Sequence, residues 1–243
     1  MSDEFYIGYE PEMPAALSSR IRRVAFGVVA VAIVTPVVLL FSQDRFAPGV
    51  FEFGRARSVS GRLVEFPYPA LIGDSVSGAG TIYWLVGPGK HGAADIVRGR
   101  DGQLVQLTGS LIQREGDTMI EVVPDSLVKV SSTSSVEPLQ SRGVIVAEGE
   151  IVDSKCHLGV MKPGEGPTHR DCAVRCLLGR IPPMFVFRSR PELGRVSLVS
   201  DAAQPFVSAE EFAGRRVTIR GEILQRGAQT FLAVDRQDIR VLD

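Results

Sequence analysis

The stretch GQLVQLTGSLIQREGDTMIEV, residues 102–122, recurs 112 positions later as GRRVTIRGEILQRGAQTFLAV, residues 214–234. The two stretches align without a gap, and several residue types coincide, as at Gly109 with Gly221 and Arg114 with Arg226. Agreement at glycine, valine, glutamine and arginine together is typical of an internal duplication. We therefore expect two copies of one structural unit in this chain of 243 residues.

Each copy alternates apolar and polar residues on either side of a short turn, which is the pattern of a β-hairpin. Further upstream, SGRLVE from Ser60 matches EGEIVD from Glu148 at an offset of 88, and TIYWLV from Thr81 aligns with PMFVFR from Pro183 at an offset of 102. The rise in offset from 88 to 102 to 112 predicts about fourteen extra residues in the first connection of the second copy and ten in its second connection.

Five short strands around a V-x-[LI]-x-G-x-[LI] centre resemble the oligonucleotide/oligosaccharide-binding (OB) folds. The resemblance implies a mainly β protein with two tandem OB-like barrels, residues 50–130 and 143–243, the second carrying an inserted short helix. The Ser/Thr-rich segment at residues 131–142 is the predicted linker between them. OB folds often bind single-stranded nucleic acid through a basic groove and stacking aromatics. Because 27 basic residues balance 28 acidic ones and aromatic residues make up 7% of the chain, we expect no nucleic-acid partner.

Residues 24–42, VAFGVVAVAIVTPVVLLFS, contain no charged side chain and are long enough to cross a bilayer as one transmembrane helix. A cleaved signal peptide fits less well, because the run is long and no small-x-small cleavage site follows it directly. Arg20, Arg22 and Arg23 stand just before the run, so the positive-inside rule places residues 1–23 in the cytoplasm. The prediction is a protein of the bacterial inner membrane whose C-terminal domains are periplasmic.

All three cysteines and two of the three histidines lie in the segment CHLGVMKPGEGPTHRDCAVRC, residues 156–176. Thr168, within this segment, is typical of the residue that caps the start of a short helix. Gly179, three positions after the segment, is typical of a left-handed residue at the helix end. On such a helix His169, Cys172 and Cys176 fall on one face.

With Cys156 from the preceding strand, these residues form a candidate Cys₃His metal site made of Cys156, His169, Cys172 and Cys176. Thiolate and imidazole ligands favour zinc first, with copper or an iron-sulfur cluster as alternatives. His157 is expected to be a neighbour of the site. Two other interpretations stay open, because an oxidising compartment favours a disulfide from Cys156 to Cys172 or Cys176, and a thiol near a helix start can serve in redox chemistry.

The sequence has no Gly-x-Ser-x-Gly, His-Glu-x-x-His or paired-acid motif, and the glycines of VGPGKHG, residues 86–92, have the wrong spacing for a phosphate-binding loop. VGPGKHG is therefore expected to be an ordinary turn with His91 at the surface. We predict a non-enzymatic accessory subunit or assembly factor of a membrane redox complex, bound to a membrane protein complex. The alternatives are an electron-transfer or thiol-redox protein and a structural interaction module with a disulfide-stapled loop.

Overall fold

The computed structural model of the protein describes residues 13–43, 49–74, 80–132 and 137–242, which belong to two compact units, residues 1–46 and 47–243. In the first unit the chain forms helix α1, Ala15–Gln43, with Pro36 inside it. In the described part of the chain α1 is the one helix long and apolar enough to cross a membrane, and its apolar window is fully exposed. A helix that is apolar on all sides suits lipid better than water. A membrane span and a signal sequence both fit this helix.

The second unit begins with a closed barrel of five strands. Strands β1 and β4 pair with each other and close the ring in the order β1-β2-β3-β5-β4, and β6 extends the sheet beyond β4. A short helix, α2, lies between β3 and β4. The elements are β1 Val50–Val64, β2 Ala70–Gly73, β3 Ile82–Val86, α2 Ala94–Val97, β4 Gln103–Arg114, β5 Asp117–Val122 and β6 Val128–Ser132.

A second closed barrel of five strands repeats this order. Its ring runs β7-β8-β9-β11-β10 and closes through pairing of β7 with β10, while β12 extends the sheet beyond β10. Helix α3 lies in the connection from β7 to β8. The elements are β7 Gln140–Asp153, α3 Arg170–Leu178, β8 Pro183–Phe187, β9 Arg195–Ser200, β10 Arg216–Arg226, β11 Gln229–Val234 and β12 Ile239–Val241. The prediction of a mainly β protein with two small barrels and one N-terminal apolar helix is confirmed.

The strand partners correct one part of the sequence alignment. Strand β3 pairs in parallel with β5, and the strand that pairs in parallel with β11 is β9, so β3 corresponds to β9 and not to PMFVFR of β8. The offset of 112 is confirmed, because β5 and β11 begin at Asp117 and Gln229. All the extra length of the second copy therefore lies in its first connection, residues 154–182 against residues 65–69, and the prediction of two separate additions is wrong.

Matched glycines in the two barrels occupy places where strands come too close for a side chain. A Cβ atom on Gly61 would lie 2.3 Å from the carbonyl oxygen of Ile72, and one on Gly149 would lie 2.3 Å from that of Val186. At both positions the neighbouring strand leaves no room for even a methyl group. The repeated glycines are therefore explained by the tight curvature of each barrel.

The two barrels share part of their hydrophobic core. Trp84 of β3 packs edge to face on Phe231 of β11, with ring centroids 5.8 Å apart. Tyr68, in the connection from β1 to β2, donates its hydroxyl hydrogen to the carbonyl oxygen of Leu198 at 2.6 Å and accepts from the N–H of Phe206 at 2.8 Å. Part of the predicted linker, residues 133–136, lies outside the described residues, and its two ends belong to β6 and β7.

Candidate metal centre

The long connection from β7 to β8 brings the three cysteines together. Strand β7 ends at Asp153, and a tight helical turn over Cys156–Val160 follows at once. Asp153 Oδ1 accepts the N–H of Cys156 at 2.9 Å, which ties the turn to the strand end. Cys172 and Cys176 come from α3, one turn apart, so both side chains lie on the helix face that meets Cys156.

The three sulfur atoms form a compact cluster. Cys156 Sγ lies 3.9 Å from the Sγ atoms of both Cys172 and Cys176, and all three sulfurs are within 4.8 Å of one another. Cys156 and Cys176 are buried, Cys172 is half-buried, and all three are free thiols. Two sulfurs bound to one zinc ion at about 2.3 Å in tetrahedral geometry lie about 3.8 Å apart. The cluster could therefore hold one metal ion without rearrangement of its sulfurs.

His169 stands beside the cluster as a partner of Asp153. Its Nε2 lies 3.0 Å from Oδ2 of Asp153, and both residues are buried. A ring nitrogen of His169, a carboxylate oxygen of Asp153 and Cys156 Sγ are within 4.8 Å of one another, and this group could also hold a metal ion. Cys156 belongs to both groups, whereas His169 is grouped with Asp153 and Cys156 and not with Cys172 or Cys176.

Helix α3 differs from its predicted boundaries. His169 is in a short 3₁₀ turn, Pro167–His169, before the helix, and no side chain caps the helix start at Arg170. The predicted left-handed residue at the other end is also wrong. Gly179 has φ −76°, and Arg180 takes the positive φ of 66°.

Gly179 has a different reason to be glycine. A Cβ atom there would lie 1.7 Å from the carbonyl oxygen of Lys90, so the residue is small because the first barrel packs against it.

Lys90 of the first barrel reaches the sulfur cluster. Its Nζ lies 2.8 Å from Cys172 Sγ and 3.6 Å from Cys176 Sγ. An ammonium group at this distance donates hydrogen bonds to thiolates and offsets their charge. The candidate site thus combines thiols from the second barrel with a cation from the first.

The loop that carries Lys90 is fixed by contacts with the second barrel. Lys155 Nζ donates to the carbonyl oxygens of Gly87 at 2.9 Å and Gly89 at 2.6 Å, and it forms an ion pair with Glu121. The N–H of Gly92 donates to the carbonyl oxygen of Gly179 at 2.8 Å. These contacts on both sides of Lys90 position its backbone. His91, in the same loop, is exposed, as expected from the sequence.

The contacts shift the acidity of the thiols in opposite directions. The contact with Cys156, and then the charge of Lys90, lower the pKa of Cys176. The contact with Cys176, burial and the charge of Asp153 raise the pKa of Cys156. The hydrogen bond with Cys172 raises the pKa of Lys90. A thiolate on the α3 side of the cluster is therefore favoured, next to a lysine that keeps its positive charge.

His157 lies outside the sulfur cluster, as expected. Its Nδ1 is 3.2 Å from Oε2 of Glu165, and Glu165 Oε1 is 3.0 Å from Nη2 of Arg188. Arg114 of the first barrel donates to the carbonyl oxygen of His157 at 2.9 Å. Burial lowers the pKa of His157, whereas contact with His157 and then Arg188 lowers the pKa of Glu165 to about 2. These contacts anchor the cysteine connection to β8 and to the first barrel.

Sequence reasoning missed two residues of the site, Asp153 and Lys90. Asp153 stands three positions before Cys156, at the end of a predicted strand, and this spacing is a usable signal. Lys90 is 82 positions from Cys172, and no pattern in the sequence links the two. Comparison with protein-family models, with curated proteins and with solved structures gives no match for this chain.

Proposed function

We propose that Cys156, Cys172 and Cys176 bind a single thiophilic metal ion, with zinc as the first candidate and copper as the second. The observation that carries the proposal is the 3.9 Å spacing of the sulfurs around Cys156. In a [4Fe–4S] cluster each cysteine binds a different iron, and in a [2Fe–2S] cluster at most two cysteines share an iron, so three cysteine sulfurs are held further apart than the ligands of one ion. The geometry therefore favours one ion over a cluster.

His169 is the proposed fourth ligand. A histidine that ligates a metal commonly holds its other ring nitrogen against a carboxylate, and Asp153 offers that carboxylate at 3.0 Å. A set of three thiolates and one histidine is typical of a structural zinc site. We therefore assign the ion a structural role in the second barrel and its contact with Lys90.

We further propose that the protein is a membrane-anchored accessory subunit or assembly factor of a membrane redox complex. Helix α1 supplies the anchor, and the arginines before it support an orientation with both barrels in the periplasm of a bacterial inner membrane. The closed five-strand order supports an OB-like identity for both barrels, with helix α3 as an insertion in the first connection of the second. Such barrels serve as binding modules, so the partner is a membrane protein complex.

The metal assignment is tested by elemental analysis of the full chain, purified in detergent without chelators or affinity metals. We expect about one equivalent of zinc, lost in the Cys156→Ser and Cys172→Ser variants and reduced in His169→Ala. His91→Ala is the matched control, because His91 is exposed, and it should keep its metal. Full metal content in both cysteine variants would refute the assignment.

The accessory role is tested separately in native membranes. A tagged full chain, extracted in mild detergent, should co-migrate with a complex that shows visible haem or copper absorption. Cys156→Ser should weaken this association, because loss of the ion loosens the connection that packs on the first barrel. A wild-type chain that migrates alone would refute the accessory role while leaving the metal assignment intact.

A thiol-redox function is the second candidate, and one observation favours it. Cys156 is equally far from Cys172 and Cys176, so oxidation can join it to either with a small movement. A metal-free protein whose intact mass is two hydrogens below the reduced value would support a disulfide. If that disulfide then exchanged with added thiol, the centre would be a redox pair, and if it resisted exchange, it would be a structural staple.

A further inference from the structure

A cavity between the two barrels, remote from the cysteines in the chain, has the features of a ligand site. Its volume is about 350 Å³, within the usual range for small-molecule pockets. The first barrel contributes Trp84 and Asp117 to its wall, and the second contributes Arg195, Ser197 and Gln229. Both barrels are therefore needed to form it.

Two buried polar groups in this wall have no partner within the described ranges of the chain. They are the hydroxyl of Ser197 and the Nε2 amide nitrogen of Gln229, and each residue is 1% exposed. Gln229 uses its Oε1 to accept from Arg226 at 2.9 Å, which leaves the amide N–H groups for another acceptor. A buried polar group without a partner costs about 1–3 kcal/mol, so a ligand in the cavity that satisfied both groups would be stabilised there.

The charged groups of the wall are already paired, which favours a neutral ligand. Arg195 is the cation at the cavity, and each of its three guanidinium nitrogens donates to an acceptor within the protein, namely Asp117, Glu115 at 3.0 Å and the carbonyl oxygen of Arg114 at 2.8 Å. The guanidinium is therefore neutralised by two carboxylates. An anion would meet a guanidinium already paired with two carboxylates, and a cation would compete with Arg195.

We propose that this cavity binds a neutral carboxamide. The amide oxygen accepts from Gln229 Nε2, and the amide N–H donates to the hydroxyl of Ser197, so both groups are satisfied at once. The flat amide packs on Trp84, which is 6% exposed and held edge to face by Phe231. The source of the amide is a free small molecule or a peptide segment.

Trp84 is the single tryptophan of the chain, so its fluorescence reports on the cavity directly. The experiment titrates the full chain in dodecyl maltoside with acetamide, and in parallel with N-acetylglycine N-methylamide as a peptide probe. Acetate, which has the shape of acetamide and a negative charge, is the matched control. We expect a saturable change with at least one amide and none with acetate, and the tighter amide identifies the source.

Two variants test the assigned groups. Ser197→Ala should weaken amide binding about three- to tenfold and raise Tm by about 2–4 °C, because it removes a hydroxyl that has no partner in the free protein. Gln229→Glu keeps the acceptor for Arg226 but loses the donor, and it should also weaken binding. Ser200→Ala is the control on the same strand, since Ser200 Oγ accepts from Gln204 N–H at 3.1 Å, and it should lower Tm and leave binding unchanged.

The proposal is overturned if neither amide gives a saturable change, or if acetate binds as well as acetamide. A lower Tm in Ser197→Ala would also overturn it, because the hydroxyl would then have a partner inside the protein. If Ser197→Ala does not fold, the affinity of Gln229→Glu decides alone. Unchanged amide affinity in that variant counts against the proposal.

Discussion

Lys90 supplies the one positive charge that touches the thiol cluster within the described ranges of the chain. A divalent ion bound by three thiolates carries one net negative charge, which the ammonium of Lys90 offsets. Hydrogen bonds from outside the ligand set also hold metal ligands in place. On the proposed metal assignment, one side chain of the first barrel therefore stabilises a centre whose ligands all come from the second barrel.

Replacing Lys90 by alanine should lower zinc affinity about 10–100-fold, because the centre loses a hydrogen bond and its charge compensation. Competition with a chromophoric chelator measures this affinity in the full chain. Lys162→Ala, on an exposed side chain of the cysteine connection, is the control and should match the wild type. An unchanged affinity in Lys90→Ala would show that the lysine is only a neighbour.

At the level of elements, side chains near the middle of the connection from β7 to β8 fix its position, in addition to the thiols. Glu165 carries this role, because it contacts His157 within the connection and Arg188 just after β8. Its pKa is lowered to about 2, so the folded protein favours the carboxylate form. The contribution is fully present above the ordinary pKa of 4.5 and is lost as the pH falls toward 2.

Glu165→Gln should therefore lower the free energy of unfolding at pH 7 by about 1–2 kcal/mol, because solvent screening weakens the contacts of a half-buried carboxylate. The difference from the wild type should shrink between pH 4.5 and 2, where the carboxylate of the wild type becomes protonated. Urea titrations of the full chain across this pH range measure both effects. Glu192→Gln, at an exposed position, is the control. A difference that is constant with pH would mean that shape, and not charge, explains the loss.

The sequence predicts those elements whose pattern of residues lies within one short stretch of the chain. The hairpins β4–β5 and β10–β11 were predicted because their alternation and glycines lie within one short stretch. Strand β3 was matched to β8 because short buried strands have similar compositions, and only their hydrogen-bond partners distinguish them. The start of α3 was misplaced because Thr168 has the right residue type for a cap without forming its hydrogen bond.

Across the whole molecule, the cysteine grouping predicted the candidate centre, whereas its lysine could not be predicted. Lys90 reaches Cys172 because two loops, far apart in the sequence, meet where the barrels pack. Loop conformation and barrel docking have no periodic signature in the chain. The same holds for the cavity at Ser197 and Gln229, which forms only when both barrels are in place.

Tyr68 is a direct test of how far the two barrels depend on each other. Tyr68→Phe leaves the carbonyl oxygen of Leu198 and the N–H of Phe206 without this partner, so the free energy of unfolding should fall by about 1–3 kcal/mol. Hydrogen exchange should show the loss in β4 and β10 alike, because the barrels share one core. Val207→Ala, at an exposed neighbour, should change little. A loss confined to one barrel would mean that the barrels unfold independently.

The unequal first connections also set an order of folding events. Five residues, 65–69, join β1 to β2, whereas 29 residues, 154–182, join β7 to β8. Closing the longer loop costs about 1.6 kcal/mol more in chain entropy, so the second barrel has the slower nucleation step. On the proposed metal assignment, ligation of Cys156 together with Cys172 and Cys176 would shorten that loop. A bound ion would then reduce this entropy difference and bring the folding rate of the second barrel closer to that of the first.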